Sequence, residues 1–275
     1  EVAYMVNSMQ SALASLERVY DLLDEEEISA DPAVPSTINE ARGVVEFKNV
    51  RFGYTPDRIL MKDINFSVKQ GQKVAVVGST GAGKTTLINL LMRFYELNGG
   101  AIFLDGVDTK EMNRSALRSN FGMVLQDTWL FGGTIADNIA YSRPEASRDE
   151  IAAAAKAARV DFFVRTMPHG YDTILNDDTE NISVGQRQLL TIARVFLCNP
   201  SVIILDEATS SVIGKAMKAL MKNRTSFVIA HRLSTITDAD LILFMRDGNI
   251  IEQGTHKTLL QKNGAYAELY YSQFA

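Results

Sequence analysis

Residues 78–86, GSTGAGKTT, have the residue types and spacing of a loop that binds a phosphate chain. The stretch fits G-x-x-x-x-G-K-S/T, with an apolar run before it and a helical pattern after it. Glycines let backbone N–H groups turn toward phosphate oxygens, and a helix N-terminus adds partial positive charge. We expect Lys84 to reach the β- and γ-phosphates and the Thr85 hydroxyl to coordinate Mg²⁺. The predicted phosphate-binding residues are Gly78, Ser79, Thr80, Gly81, Ala82, Gly83, Lys84, Thr85 and Thr86.

Two acidic residues follow the apolar run that begins at Ser201, in the stretch SVIILDE. Asp206 would stand at the carboxyl end of a strand, where it can hold Mg²⁺ directly or through water. Glu207 would then face the γ-phosphate and act as the general base for an attacking water. By itself such a pair is often merely solvated, but downstream of a phosphate-binding loop it indicates nucleotide hydrolysis.

Strand patterns alternate with helix patterns along the chain, which predicts an α/β fold with a mostly parallel core sheet. These elements must position the phosphate-binding loop and the acidic pair. The region 44–77 is expected to form an antiparallel start to the domain. The predicted helices are Thr85–Tyr95, Ile151–Arg165, Val184–Leu197 and Lys215–Met221. The predicted buried parallel strands are Ser201–Leu205, Ser226–Ile229 and Leu241–Phe244, and Lys73–Gly78 is a buried run leading into the loop.

An amphipathic helix is predicted for residues 2–23, where apolar side chains recur with i, i+3, i+4 spacing. The acidic run Asp24–Glu27, followed by Pro32 and Pro35, ends this helix and supplies a linker. The helix either packs on its own domain or is the tail of a longer helix from an upstream domain. Because the pattern is already strong at residue 1, we favour the second interpretation.

Composition excludes several other classes of protein. The net charge is −5 and there is no long Lys/Arg block, so neither nucleic acid nor an anionic membrane surface is an expected partner. The single cysteine, Cys198, rules out an intrachain disulfide, and the three histidines lack metal-ligand spacing. No signal peptide is visible, and apolar runs such as Leu241–Met245 are far short of a membrane span.

Four further features make the chain resemble the ATP-binding cassette (ABC) transporters. Tyr54, in RFGYTP, matches the aromatic residue that stacks on adenine in that family, and Gln126, in VLQDTWLF, matches the glutamine that senses Mg²⁺ and the attacking water. Residues 182–186, ISVGQ, stand where the family has its LSGGQ signature, and His231 matches the histidine that contacts the γ-phosphate. The resemblance covers residues 43–275 and implies a P-loop ATPase fold with an antiparallel β subdomain and a helical subdomain at about 127–197.

The resemblance also implies a mechanism for the chain and the domains with which it assembles. Two cassettes would face each other head to tail, so that Ser183, Gly185 and Gln186 bind the ATP of the partner cassette. ATP binding would close the pair and hydrolysis would reopen it, which performs work on a membrane domain. The chain then resembles the cassette of an exporter at the cytoplasmic face of the cell membrane. Residues 1–35 would be the end of the last membrane-domain helix plus its linker, and residues 36–275 the cassette; the membrane domain would contact Gln126 and Asp177–Asn181.

Val184 is the first departure from the family pattern, because it replaces a glycine of the signature. Its β-branched side chain adds bulk beside the triphosphate of the neighbouring cassette. In heterodimeric exporters the half with a complete catalytic glutamate often carries the altered signature. Glu207 together with Val184 therefore favours a heterodimer over a homodimer.

The second departure follows EATSSV, where Val212 runs directly into Ile213-Gly214-Lys215. The aspartate of the family's D-loop and about two helical turns are missing here. Either the connection is truly shortened, or an exposed segment of the protein is absent from this sequence; we expect the second. A mass of 30.4 kDa for the intact chain would rule the second out.

Three other functions are alternatives to an ATPase that powers export. A non-hydrolysing ATP clamp is suggested by Val184 and the shortened region, whereas Glu207 and His231 argue against it. A soluble cassette of translation or DNA repair would carry a second cassette or a long coiled coil, and neither is present. A GTPase is disfavoured because the guanine-reading motif N-K-x-D does not occur.

Overall fold

The computed structural model describes the chain except for residues 39, 56, 126–127, 177–181, 207–210, 230–235 and 275. It contains two compact units, Glu1–Asp31 and Pro32–Ala275. The first unit is mainly helix α1, Val2–Leu23, in which no side chain is buried and the whole apolar stripe is exposed. Among the described residues, no helix combines the length and the apolar character needed to cross a membrane.

The second unit alternates strands with helices, as the sequence predicts. Its strands are β1 (Val45–Phe52), β2 (Met61–Val68), β3 (Lys73–Val77), β4 (Gly99–Leu104), β5 (Val107–Asp108), β6 (Phe121–Val124), β7 (Gly133–Thr134), β8 (Ile174–Leu175), β9 (Val202–Asp206), β10 (Thr225–Ile229), β11 (Leu241–Arg246) and β12 (Asn249–Gly254). Its helices are α2 (Lys84–Leu91), α3 (Arg114–Arg118), α4 (Ile135–Ala140), α5 (Arg148–Ala157), α6 (Asp161–Thr166), α7 (Val184–Cys198), α8 (Ser211–Met221), α9 (His256–Lys262) and α10 (Ala265–Phe274).

The central sheet has six strands in the order β12-β11-β3-β10-β9-β6, and only the edge strand β12 runs antiparallel to its neighbour. Its inner strands read as apolar runs because both faces are covered. Ile203 and Leu205 of β9 pack into one core cluster, while Val202 and Ile204 pack into another on the opposite face. The prediction of buried parallel strands is confirmed, but the inclusion of residues 73–77 in an antiparallel region is wrong, since β3 pairs in parallel with β10 and β11.

A smaller antiparallel sheet, ordered β2-β1-β4-β5, covers one side of the domain. Inward residues alternate with exposed ones along β1 and β2, as expected for a sheet with one wet face. Phe47 and Phe66 stack across this pair with ring centroids 4.4 Å apart. Their cluster also includes Leu87 and Leu91, so the antiparallel sheet, α2 and one face of the central sheet share a core.

Helices α4 to α7 form a second region, which packs with α8 on the opposite face of the central sheet. The prediction of one helix over Ile151–Arg165 is wrong: α5 ends after Ala157 and α6 begins at Asp161. The break lies at Arg159, whose φ of 62° is left-handed and cannot continue a helix. Helix α2 likewise ends at Leu91 rather than Tyr95, because Arg93 has a φ of 52°.

Candidate nucleotide-binding site

The phosphate-binding loop joins the carboxyl end of β3 to the start of α2. Gly83 is the N-cap of α2 with φ 99°, a conformation that favours glycine. At Gly78 a Cβ atom would lie 2.3 Å from the carbonyl oxygen of Met245, so any side chain there would meet backbone. These two glycines therefore let the loop turn tightly beside β11.

Lys84 begins α2, and its side chain turns back into the loop. It is 7% exposed, and its Nζ donates to the carbonyl oxygens of Gly78, at 2.7 Å, and Ser79, at 3.0 Å. Burial lowers the pKa of Lys84, and the nearby carboxylate of Asp206 opposes that shift. The ammonium group is thus held by weak neutral acceptors, which phosphate oxygens can replace with stronger, charge-assisted bonds.

Asp206 is the last residue of β9 and lies beside Ile229 of the neighbouring strand β10. Because β3, β10 and β9 are parallel, their carboxyl ends meet at one edge of the sheet, where the loop also begins. A cavity of about 400 Å³ opens at this edge. It is lined by Tyr54, Leu60, Thr80, Gly81, Gly83, Lys84, Thr85, Thr86, Asp206 and Ile229.

Tyr54 lines the cavity, follows β1 in the chain, and is 55% exposed to solvent. Its hydroxyl group shares a 2.8 Å hydrogen bond with the hydroxyl of Thr86 in the first turn of α2. An open aromatic face beside the phosphate-binding loop is suited to stacking on a base. Sequence reasoning named Tyr54 and Thr86 separately, but it missed their contact and the apolar lining by Leu60 and Ile229.

Three other predicted loop residues do not line the cavity. Ala82 is buried, its N–H donates to the Ser79 carbonyl, and its own carbonyl accepts from the N–H of Gly248. Gly78, Ser79 and Ala82 thus shape the loop without lining the cavity.

Ser183, Gly185 and Gln186 are at the start of α7 and do not line this cavity. Ser183 is the N-cap of that helix: its Oγ accepts from the Gln186 N–H, and Gln186 Oε1 accepts from the Ser183 N–H. The pattern S-x-x-Q, visible in the sequence, signals this capping box, which we did not predict. Val184 is the first helical residue, and its side chain is exposed.

Gln126, Glu207, His231 and Asp177–Asn181 lie outside the described residues. Their predicted roles therefore remain predictions.

The described residues fit a nucleoside triphosphate and Mg²⁺. Thr85 and Asp206 offer a hydroxyl and a carboxylate, the hard oxygen ligands that Mg²⁺ prefers, on the same cavity wall as Lys84. The same cavity is lined by the aromatic ring of Tyr54, which suits a base, and by the cation of Lys84, which suits a phosphate chain.

The fold and this site define a P-loop nucleotide-binding domain of the α/β class. The family model for ABC transporters matches residues 61–210, more than half of the chain, and the chain belongs to that family. The predicted resemblance is thereby confirmed.

The relatives most informative about function are exporter-type ATP-binding/permease proteins. The chain is 54% identical over 276 residues to the fatty acid ABC transporter ATP-binding/permease protein of Mycobacterium bovis, covering 98% of this chain and 43% of the relative. It is 43% identical over 280 residues to a putative multidrug export ATP-binding/permease protein of Bacillus subtilis, covering 98% and 48%. The chain thus spans less than half the length of these relatives.

A solved structure of a bacterial Atm1-family ABC exporter with ATP bound also resembles the chain. Its TM-score is 0.85 at 40% sequence identity, and the match covers 97% of this chain and 48% of the exporter chain. The similarity therefore includes nearly all of this chain.

Proposed function

We propose that this chain is the ATP-binding and ATP-hydrolysing cassette of an ABC exporter. Two cassettes close around two ATP molecules, and hydrolysis reopens them to drive export. The observation that carries the proposal is the single cavity that joins Tyr54, Lys84 and Asp206. The names of the exporter relatives add support, since they combine ATP-binding and permease functions.

Each predicted site residue has a distinct role in this proposal. Tyr54 stacks on adenine, and Lys84 moves from the loop carbonyls to the β- and γ-phosphates, where its charge stabilises the transition state. Thr85 and Asp206, with Gln126, hold the Mg²⁺ that neutralises phosphate charge. Glu207 orients the attacking water as general base, and His231 contacts the γ-phosphate.

The start of α7 serves the partner cassette. Ser183, Gly185 and Gln186 bind the partner's ATP, and the exposure of Ser183 and Val184 leaves this turn accessible to a second chain. The membrane domain, through which the cassette acts at the cytoplasmic face of the membrane, contacts the Gln126 and 177–181 regions. We favour a heterodimer, because this chain combines a complete catalytic glutamate with an altered signature. A partner with an intact signature and a weakened glutamate would complement it.

The alternative is a non-hydrolysing ATP clamp within a heterodimeric transporter, and replacement of Glu207 separates the two. In the assembled transporter, Glu207→Gln should still bind ATP and close the pair but lose hydrolysis, falling by about 100-fold or more as expected for removal of a general base. Steady-state phosphate release measures this. Unchanged turnover in Glu207→Gln would refute the base assignment, and absence of turnover with Glu207 intact would favour the clamp.

A further inference from the structure

Tyr54 lies in a cluster of three aromatic rings. Its ring meets that of Phe52 edge to face, with centroids 4.9 Å apart and planes at 80°. It meets Tyr95 in the same manner, at 5.2 Å and 89°. Phe52 and Tyr95 also contact each other at 5.6 Å, so the three rings form a closed triangle.

The triangle supports Tyr54 without covering it. Phe52 is buried, at 3% exposed, whereas Tyr54 is 55% exposed to solvent and lines the cavity. The hydrogen bond to Thr86, which is 7% exposed, fixes the far end of the tyrosine ring. Two edge-to-face ring contacts and one hydrogen bond therefore restrict the orientation of one exposed ring.

The backbone beside Tyr54 is anchored to the same part of the chain as Tyr95. The N–H of Gly53 donates to Asn98 Oδ1 at 2.7 Å, and the N–H of Asn98 donates to the Arg51 carbonyl at 2.9 Å. Tyr95 and Asn98 both follow α2, while Thr86 lies in the first turn of α2. One short helix thus connects the phosphate-binding loop to two of the three side chains that hold the Tyr54 ring, those of Thr86 and Tyr95.

We propose that Thr86 and Tyr95 are positioning residues that hold the Tyr54 ring ready for the adenine base. The inference rests on the proposed role of Tyr54 in ATP binding. An exposed tyrosine with no lateral support samples several rotamers and loses that freedom when a base stacks on it. A ring already fixed by Thr86 and Tyr95 loses little, so binding is tighter.

The proposal assigns Thr86 and Tyr95 an effect on binding of the base, so the test compares a ligand that has a base with one that has only the phosphate chain. We would measure the dissociation constants of the purified chain for ATP and for inorganic tripolyphosphate, which has no base, by titration calorimetry. Tyr95→Leu should weaken ATP binding about 3- to 10-fold and leave tripolyphosphate unchanged. Tyr95→Phe keeps the ring contact and is the matched control, expected to bind ATP as the unaltered chain does.

Thr86 needs a double-mutant cycle, because it is also a predicted phosphate-binding residue. Thr86→Val should weaken ATP binding more than tripolyphosphate binding, and Thr86→Ser, which retains the hydroxyl, should restore it. In the Tyr54→Phe background, Thr86→Val should weaken ATP and tripolyphosphate by the same factor, because the hydroxyl partner has gone. An equal effect of Thr86→Val on both ligands in the unaltered background would overturn its positioning role.

Two outcomes distinguish failure of this inference from failure of the proposed site. If Tyr54→Ala leaves the ratio of ATP to tripolyphosphate affinity unchanged, Tyr54 does not bind the base and the proposed site is wrong. If Tyr54→Ala changes that ratio while Tyr95→Leu does not, Tyr54 binds the base without the support of Tyr95 and the present inference fails.

Discussion

Gly78 and Gly81 lie in the same loop, but their surroundings differ. A Cβ at Gly78 would lie 2.3 Å from the Met245 carbonyl oxygen, whereas a Cβ at Gly81 would meet nothing within 4 Å. Both have positive φ, 155° and 81° respectively. An alanine at either position is therefore strained, but only at Gly78 must the backbone of β11 also move.

We expect Gly78→Ala to lower the free energy of unfolding by about 3 kcal/mol or more, through backbone strain plus the forced displacement. Gly81→Ala should cost about 1–2 kcal/mol, the cost of the left-handed conformation alone. Urea unfolding of the ligand-free chain measures both. Equal losses for the two variants would contradict the close approach of Met245.

Motif spacing predicted the individual residues of the cavity better than their mutual contacts. Lys84, Thr85 and Asp206 are recognisable because their types and their order along the chain are tied to phosphate chemistry. The Tyr54–Thr86 bond joins residues 32 positions apart across two elements, and only the folded chain brings them together. Tyr95 carried no sequence signal, since an aromatic residue after a helix is ordinarily part of a core.

At the scale of elements, the position of Ser183 at the start of α7 gives it one structural role and one proposed binding role, and a substitution such as alanine would remove both at once. Its side chain caps the helix by accepting from the Gln186 N–H, and it is also proposed to bind the partner's ATP. Ser183→Ala should lower the free energy of unfolding by about 1 kcal/mol because the cap is lost. Thermal or urea unfolding of the chain alone measures this first role.

Ser183→Asp isolates the second role, because aspartate caps helices about as well as serine but has no hydrogen to donate to a phosphate. We expect it to keep the stability of the unaltered chain and yet reduce hydrolysis by the assembled transporter about tenfold or more, since one hydrogen bond to a phosphate is lost. Full hydrolysis with Ser183→Asp would show that capping is the only role of this residue.

The elements themselves were predicted well wherever periodicity was strong. Helices α1 and α7 and the buried strands β9, β10 and β11 were recognised within a few residues of their bounds. The break between α5 and α6 was missed because Arg159 carries the left-handed φ without a glycine or proline to mark it. Strand β3 was assigned to the wrong sheet because pairing partners far along the chain, not local pattern, decide between parallel and antiparallel neighbours.

At the scale of the whole molecule, we propose that Val184 influences which partner the cassette accepts. Its side chain stands exposed in the first turn of α7, where the triphosphate of a second cassette is proposed to bind. Two copies of this chain would place a valine in both composite sites. A partner with glycine at that position would remove the bulk of the valine from one of the two composite sites. This is the physical basis for expecting a heterodimer.

Sedimentation of the chain with ATP tests this expectation. We predict that Glu207→Gln alone keeps the mass of a monomer, because both signatures would carry Val184 beside the triphosphate. Combining Glu207→Gln with Val184→Gly should double the mass in the presence of ATP, while the matched Val184→Thr, equally branched, should leave it unchanged. A full ATP-dependent dimer of Glu207→Gln with Val184 in place would favour the homodimer, since the valine would then be no obstacle to closure.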